Sequence, residues 1–305
     1  MARKTIFFFW FMTLQLTGNM AMATSELPEH YAESVMIFAL SADGADEISL
    51  RLARFPDKGT ATIWLHIATV DGAWSLAHEA FELENRDATQ VRDDTATFGA
   101  HLGSQQVTFT STDRNSAHMQ GQVKASFNAN PTRHPELEAG RVPVALDLSF
   151  MGGSRGFRSE TNRWELTGEV AGTISVAGKT YDFNHAGKWH EQTGPRARFA
   201  PAFTYFNVQG ENLALLAIGF VDRVNGYVLA GDEMLGVQAF TIDPPGLGPR
   251  AFRLTTSRGD TIEGSVRTVQ AWSVPIEGKR RPGAAVLVNS DRGPLLGTLN
   301  DWQPD

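Results

Sequence analysis

Apolar and polar side chains alternate along most of this chain, and they do so in short runs. Ile48, Leu50 and Leu52 alternate with Ser49, Arg51 and Ala53, the two-residue period of a half-buried strand. Thr62, Trp64, His66 and Ala68 alternate with Ile63, Leu65 and Ile67, so this strand carries apolar side chains on both faces and is expected to be central. Asp71-Gly72 closes a hairpin into residues 74–76. The clearest run is 142–150, where Val142, Val144, Leu146, Leu148 and Phe150 share a face, with Pro143 marking an edge or a start one residue later. Similar runs are expected at 106–110, 120–127, 164–176, 181–183, 203–208, 213–221, 227–230, 252–256, 261–274 and 284–289. Residues 31–38 read equally as a short helix or a first strand. No segment sustains a helical period over the ~10–12 residues that mark a helix. The pattern predicts an all-β chain of short antiparallel strands, arranged as sandwiches or barrels.

Two breaks suggest how these strands are grouped. Met151-Gly152-Gly153-Ser154-Arg155-Gly156 and the polar residues up to Arg163 form a Gly-rich, charged interruption, which places a domain boundary there and predicts modules at 24–160 and 161–305. At the start, Arg3-Lys4 precedes the apolar run from Ile6 to Met12, and Ala21-Met22-Ala23 supplies small residues at a cleavage-like spacing. That order reads as a signal peptide over 1–23, removed before Thr24, and predicts export to the periplasm. The alternative is translation from Met20 or Met22 and a cytoplasmic protein. Gln15, Gly18 and Asn19 interrupt the apolar run, so it is too short to span a bilayer, and no integral membrane segment is expected in the mature chain.

Composition narrows the function. The 29 Gly and 14 Pro in 305 residues favour turns over long helices. A formal charge of -7, with no basic cluster longer than Lys279-Arg280-Arg281, argues against a nucleic-acid partner. The absence of cysteine excludes disulfides, thiolate metal sites and cysteine nucleophiles. There is no Gly-x-Ser-x-Gly elbow, no Walker loop and no His-Glu-x-x-His motif, and His185 and His190 lie five residues apart. No cofactor and no metal are expected. The oligomeric state is left open.

Chemistry concentrates between Tyr181 and Arg196, where two imidazoles, two carboxylates, an indole and a guanidinium fall in one stretch. An imidazole beside a carboxylate is general acid/base equipment, because the carboxylate fixes its tautomer and tunes its pKa. Asp182, His185, His190 and Glu191 are the catalytic candidates. On a strand, His190 and Glu191 face opposite sides, so these neighbours make no dyad. Gly187, Gly194 and Pro195 argue against regular structure past His185. Trp189, Arg196, Phe203, Tyr205 and Trp64 are the candidates for ligand contact, lining an apolar pocket with the polar cluster at one end. The competing assignment is structural, with the aromatics in the core and the histidines completing hydrogen-bond networks.

Residues 47–74 resemble the first module of the double-lipocalin (calycin-like) superfamily, with Leu50-Arg51-Leu52-Ala53-Arg54-Phe55-Pro56 leading into Trp64 and Asp71-Gly72. That superfamily contains carotenoid hydratases of the hydroxyneurosporene synthase type and lipocalin-like Diels-Alderases. Residues 168–199 resemble its second signature, a strand pair followed by Gly-x-x-Asp-His-Ser/Asn-Trp-Gly and often Pro-Arg. Gly187, Gly194, Pro195 and Arg196 match, whereas His190 stands at the Asp position, Glu191 at the His position, Gln192 at the Ser/Asn position and Thr193 at the Trp position. Acid and imidazole have exchanged places. Gly187-Lys188-Trp189 also resembles the Gly-x-Trp that plugs one end of lipocalin barrels, under which Trp189 and Arg196 are structural. The resemblance implies two lipocalin-like β modules side by side. It also implies a hydrophobic small ligand of the polyene, terpenoid or polyketide class. The activity it implies is a cofactor-independent hydratase, lyase or cyclase, with a non-catalytic exported carrier as the alternative.

Overall fold

In the computed structural model, which describes residues 29, 31–83, 89, 96–112, 115–128, 140–159, 163–195, 202–246, 248–276 and 279–302, the chain forms two closed antiparallel barrels. The signal-peptide segment and Arg196 lie outside the described residues. The first barrel contains β1 (Tyr31–Leu40), β2 (Glu47–Phe55), β3 (Thr60–Thr69), β4 (Gly72–Glu82), β5 (Ala96–Leu102), β6 (Gln105–Thr112), β7 (Ser116–Phe127), β8 (Arg141–Ser159), β9 (Arg163–Val176) and β10 (Lys179–Pro195). The second contains β11 (Phe203–Gln209), β12 (Leu213–Gly219), β13 (Val224–Ala230), β14 (Glu233–Ile242), β15 (Arg250–Thr256), β16 (Thr261–Ile276), β17 (Lys279–Ser290) and β18 (Gly293–Trp302). Each is mostly an up-and-down meander of neighbouring hairpins. β10 closes the first ring against β1, from Tyr31↔Pro195 to Ala39↔Gly187, and β18 closes the second against β11. The ambiguous start, 31–38, is a strand because it supplies that seam.

The Gly-rich run at 151–156 does not separate the barrels. It lies inside β8, which bulges between Gly152 and Gly156 and then resumes pairing with β9. In place of a division after residue 160, the rings part between Pro195 and Phe203, since β9 and β10 are both needed to close the first one. Glycine is favoured at 152 because the chain entering β7 comes unusually close to β8 there. A Cβ on Gly152 would sit 2.7 Å from the Asn115 carbonyl oxygen.

Alternation places the core as expected. Ile48, Leu50 and Leu52 point into the first barrel with Ile63, Leu65 and Ile67, and all are fully buried. Trp189 fills the centre, with ring centroids 5.8 Å from Phe109 and 6.3 Å from Phe150. The outward residues Trp64 and His66 of β3 are buried as well. The cause is not a sheet stacked on that face but the second barrel: Phe38, Leu40 and Trp64 pack against Trp272, Ala285 and Trp302. Burying such side chains stabilises the docked barrels by about 1.5–3 kcal/mol each relative to exposing them.

Candidate active site

The strands that close the first barrel also carry its most reactive outward side chains. β10 continues as a strand to Pro195, contrary to the expectation of irregular structure past His185. Gly187 is the reason: a Cβ there would stand 2.5 Å from the Phe38 carbonyl oxygen and 2.6 Å from Val170 Cγ2, so only glycine lets β1 and β9 flank it. With the strand intact, Trp189 points inward while Lys188 and His190 point outward to the second barrel. The register then sets His190 directly opposite Glu165 of β9.

Glu165 is the hub. Its Oε1 accepts from Arg163 Nη2 at 2.6 Å, from His190 Nδ1 at 2.9 Å and from the Tyr205 hydroxyl at 3.3 Å. Its Oε2 accepts from the Tyr227 hydroxyl at 2.6 Å. Two of these donors come from the second barrel, on β11 and β13, so the carboxylate bridges the barrels. Burial alone would push this carboxyl up. The Arg163 guanidinium, the hydrogen bond and charge of His190, and the Lys188 ammonium instead hold it well below the usual carboxylate range. Burial and the Glu165 charge together raise both phenols, which remain neutral donors.

An ionised Glu165 accepts only, so His190 must donate through Nδ1, leaving Nε2 with its lone pair. Burial pushes the His190 pKa down to about 4, against the opposing pull of Glu165, and the ring is neutral near pH 7. Nε2 has no hydrogen-bond partner among the described residues, and the side chain keeps 12% of its surface exposed. The result is an oriented imidazole with one open basic nitrogen. Beside it, Lys188 Nζ donates to Thr298 Oγ1 at 3.3 Å and lies 5.3 Å from the Tyr205 ring centre and 5.8 Å from that of Phe38. Burial lowers this lysine to about 8. Asn207 Nδ2 donates to the Tyr205 hydroxyl at 3.3 Å.

A second acid and imidazole, Glu47 and His66, share the same outer face of the first barrel but are sealed. Burial pushes Glu47 well above the carboxylate range and His66 down to about 3, and both are neutral. His66 Nδ1 is 3.0 Å from Ser75 Oγ, its Nε2 is 3.5 Å from Glu47, and Trp272 covers the ring at 5.1 Å.

The structure brings together only part of the stretch 181–196. His190 and Tyr205 meet at Glu165, and Trp64 lies on the same barrel face, with Arg51 5.1 Å over its ring. Glu191 lies on the opposite side of β10 from His190. Asp182 is exposed on the outer face of β10, away from the second barrel. His185 sits against Phe183, with its Nε2 3.6 Å from Asp46. It is about 17 Å along the strand from His190, and no metal-binding group of His, Asp or Glu occurs among the described residues. Trp189 is a core residue, 1% exposed. Phe203 packs on Trp302 at the end of the second barrel, with centroids 4.6 Å apart. Glu165, Arg163, Lys188 and Tyr227 escaped the sequence reading. One signal was present: Lys188 and His190 alternate with Trp189, as do Arg163 and Glu165 with Trp164.

No family model matches this chain, and no curated protein matches it significantly. Solved structures do. CghA in complex with Sch210972 superposes with a TM-score of 0.59 at 10% identity, covering 90% of this chain and 89% of that one. An AttH-type protein of Nitrosomonas europaea gives 0.60 at 10% identity, covering 90% and 93%. The chain has the double-lipocalin fold. Kievitone hydratase of Nectria haematococca shares it too, with a TM-score of 0.53 at 11% identity over 92% of both chains. At such identities the likeness carries the double-lipocalin architecture and not the reaction.

Proposed function

We propose that this protein acts on a hydrophobic small molecule of the polyene, terpenoid or polyketide class by cofactor-independent acid/base chemistry at the barrel interface. His190 Nε2 is the base, and Glu165 holds its tautomer and orientation. The observation that carries this reading is the neutral His190 ring, tied to an ionised carboxylate through Nδ1 while Nε2 stays open. Such a nitrogen takes a proton from carbon, or takes one from a water adding to a double bond and returns it to the neighbouring carbon, as a lyase or hydratase requires. The hydratase named among the fold relatives belongs to that reaction class. Tyr205 and Tyr227 hold Glu165 from the other barrel, and Lys188 supplies a nearby cation whose pKa lies close to working pH.

A carrier with no chemistry is the second reading. It is favoured by the saturation of Glu165 with donors from both barrels, as a purely interface-locking network would have. Mass spectrometry of the organic-extractable compound that copurifies, followed by its incubation with protein in D2O, separates the two. Deuterium uptake or gain of one water, lost in a folded His190→Ala protein, supports catalysis, whereas an unchanged compound supports the carrier. Export is proposed on the order of charge, apolar run and small residues before Thr24, and an intact mass of the secreted chain starting at Thr24 tests it.

A further inference from the structure

Lys188 is a buried amine without the partner that buried amines ordinarily have. It is 5% exposed and points from β10 into the barrel interface, where Nζ donates to Thr298 and lies against the rings of Tyr205 and Phe38. No carboxylate among the described residues forms an ion pair with it. Glu165 reaches it only through its charge, because Arg163, His190, Tyr205 and Tyr227 occupy its oxygens. Burial and the Arg163 guanidinium push Lys188 down to about 8 against the opposing pull of Glu165, so roughly a tenth of it is free amine at pH 7. An ordinary lysine has on the order of a hundredfold less. The strand beside it is fixed from the second barrel, since Gln209 Nε2 donates to the Gly187 carbonyl at 2.7 Å. Two residues further along the same face stands His190 with its open Nε2, so amine and base start from Cα atoms about 6.5–7 Å apart.

We infer that Lys188 is an imine-forming catalytic residue and that the substrate is an aldehyde or ketone, either a β-hydroxy carbonyl compound or its α,β-unsaturated counterpart. Imine formation stands on Lys188 alone, and the step after it rests on the base proposed for His190. The carbonyl compound approaches from the side of His190, whose side chain keeps 12% of its surface exposed. The free amine adds to the carbonyl carbon, and the carbonyl oxygen leaves as water. Counted from the ammonium, one water departs and the positive charge stays on nitrogen as an iminium ion. The iminium acidifies the neighbouring carbon, whose proton passes to His190 Nε2 while the C–H electron pair forms the enamine. The enamine expels the β-hydroxyl, which departs as water with the proton held by His190. A water then hydrolyses the conjugated iminium, restoring the ammonium and releasing the unsaturated carbonyl compound. The reverse sequence hydrates it.

Butanone, a small neutral ketone, is the probe, and sodium cyanoborohydride reduces any iminium to a stable secondary amine. Peptide mass spectrometry of the wild-type protein is expected to find this adduct on Lys188 at least about tenfold faster than on Lys179, which its bond to Asp71 holds above the ordinary lysine value. Lys188→Arg keeps the charge and the ring contacts, and should lose both the adduct at this position and the turnover of the copurifying compound. His190→Gln should still be trapped at Lys188, but should no longer exchange the α-hydrogens of butanone for deuterium in D2O. Trapping at Lys188 no faster than at Lys179, or wild-type turnover in a folded Lys188→Arg protein, would overturn the inference. Thermal melts identify whether that variant is folded, and trapping in the wild type decides the matter if it is not. Trapping at Lys188 with undiminished exchange in His190→Gln would leave the imine in place and remove His190 as the base, so the two proposals fail separately.

Discussion

His190 and Glu165 form a directional pair, and each can be removed with a different consequence. His190→Gln keeps a polar side chain against Glu165 but removes the basic Nε2. It is expected to lower turnover of the copurifying substrate by ~10²–10⁴-fold with little change in melting temperature. Glu165→Gln keeps the size of the side chain and loses the ionised acceptor. Turnover should fall similarly, and stability should fall as well, because Arg163 and two tyrosines from the second barrel lose a charged partner. With His190 held at about 4, the acid limb of the pH–rate profile should lie near 4 and not near the ordinary histidine value. Stability has a calculable sign. From about pH 6.5 down to 4.5, unfolded His66 and His190 take up protons that their folded counterparts refuse, while Glu47 does the reverse. Two histidines outweigh one carboxyl over this range, so stability is expected to fall on acidification. Urea titrations at pH 7 and pH 5 check it, and equal midpoints would contradict it.

β10 shows what alternation alone conveys and what it hides. Its tail looked irregular because Gly187, Gly194 and Pro195 are poor strand formers, yet Gly187 is there to admit the Phe38 carbonyl and Val170. Gly187→Ala should therefore loosen the seam between β1 and β10 and destabilise the protein by ~1–3 kcal/mol, as measured by denaturant unfolding. Once the tail is a strand, the period of two separates Trp189 from Lys188 and His190 without further information. Which residue lies across from His190 is not written in β10 at all. Glu165 stands 25 positions earlier and becomes its neighbour only through the β9–β10 register. The same holds for β8, whose glycines read as a linker but mark a bulge within one long strand.

The barrels depend on one another through an interface that is both apolar and charged. Phe38, Leu40 and Trp64 meet Trp272 and Trp302, while Tyr205, Tyr227 and Thr298 reach across to Glu165 and Lys188. Cutting at a protease site inserted after Pro195 should leave two fragments that coelute on size exclusion, and separation at neutral pH would contradict the contact described. The sequence by itself determined the all-β class, the positions of most strands and the side of each that turns inward, because a two-residue period is a local property of the chain. It also marked His190 and Tyr205, since polar residues amid apolar alternation stand out. Tertiary structure alone decided where the first ring closes, that outward Trp64 and His66 are buried, and that Glu165 is the partner of His190. Those facts depend on strand register and on the docking of one barrel against the other, which bring together residues far apart in the chain. Tertiary structure likewise resolved residues 181–195 into a strand that sends Trp189 into a core and His190 into an interface.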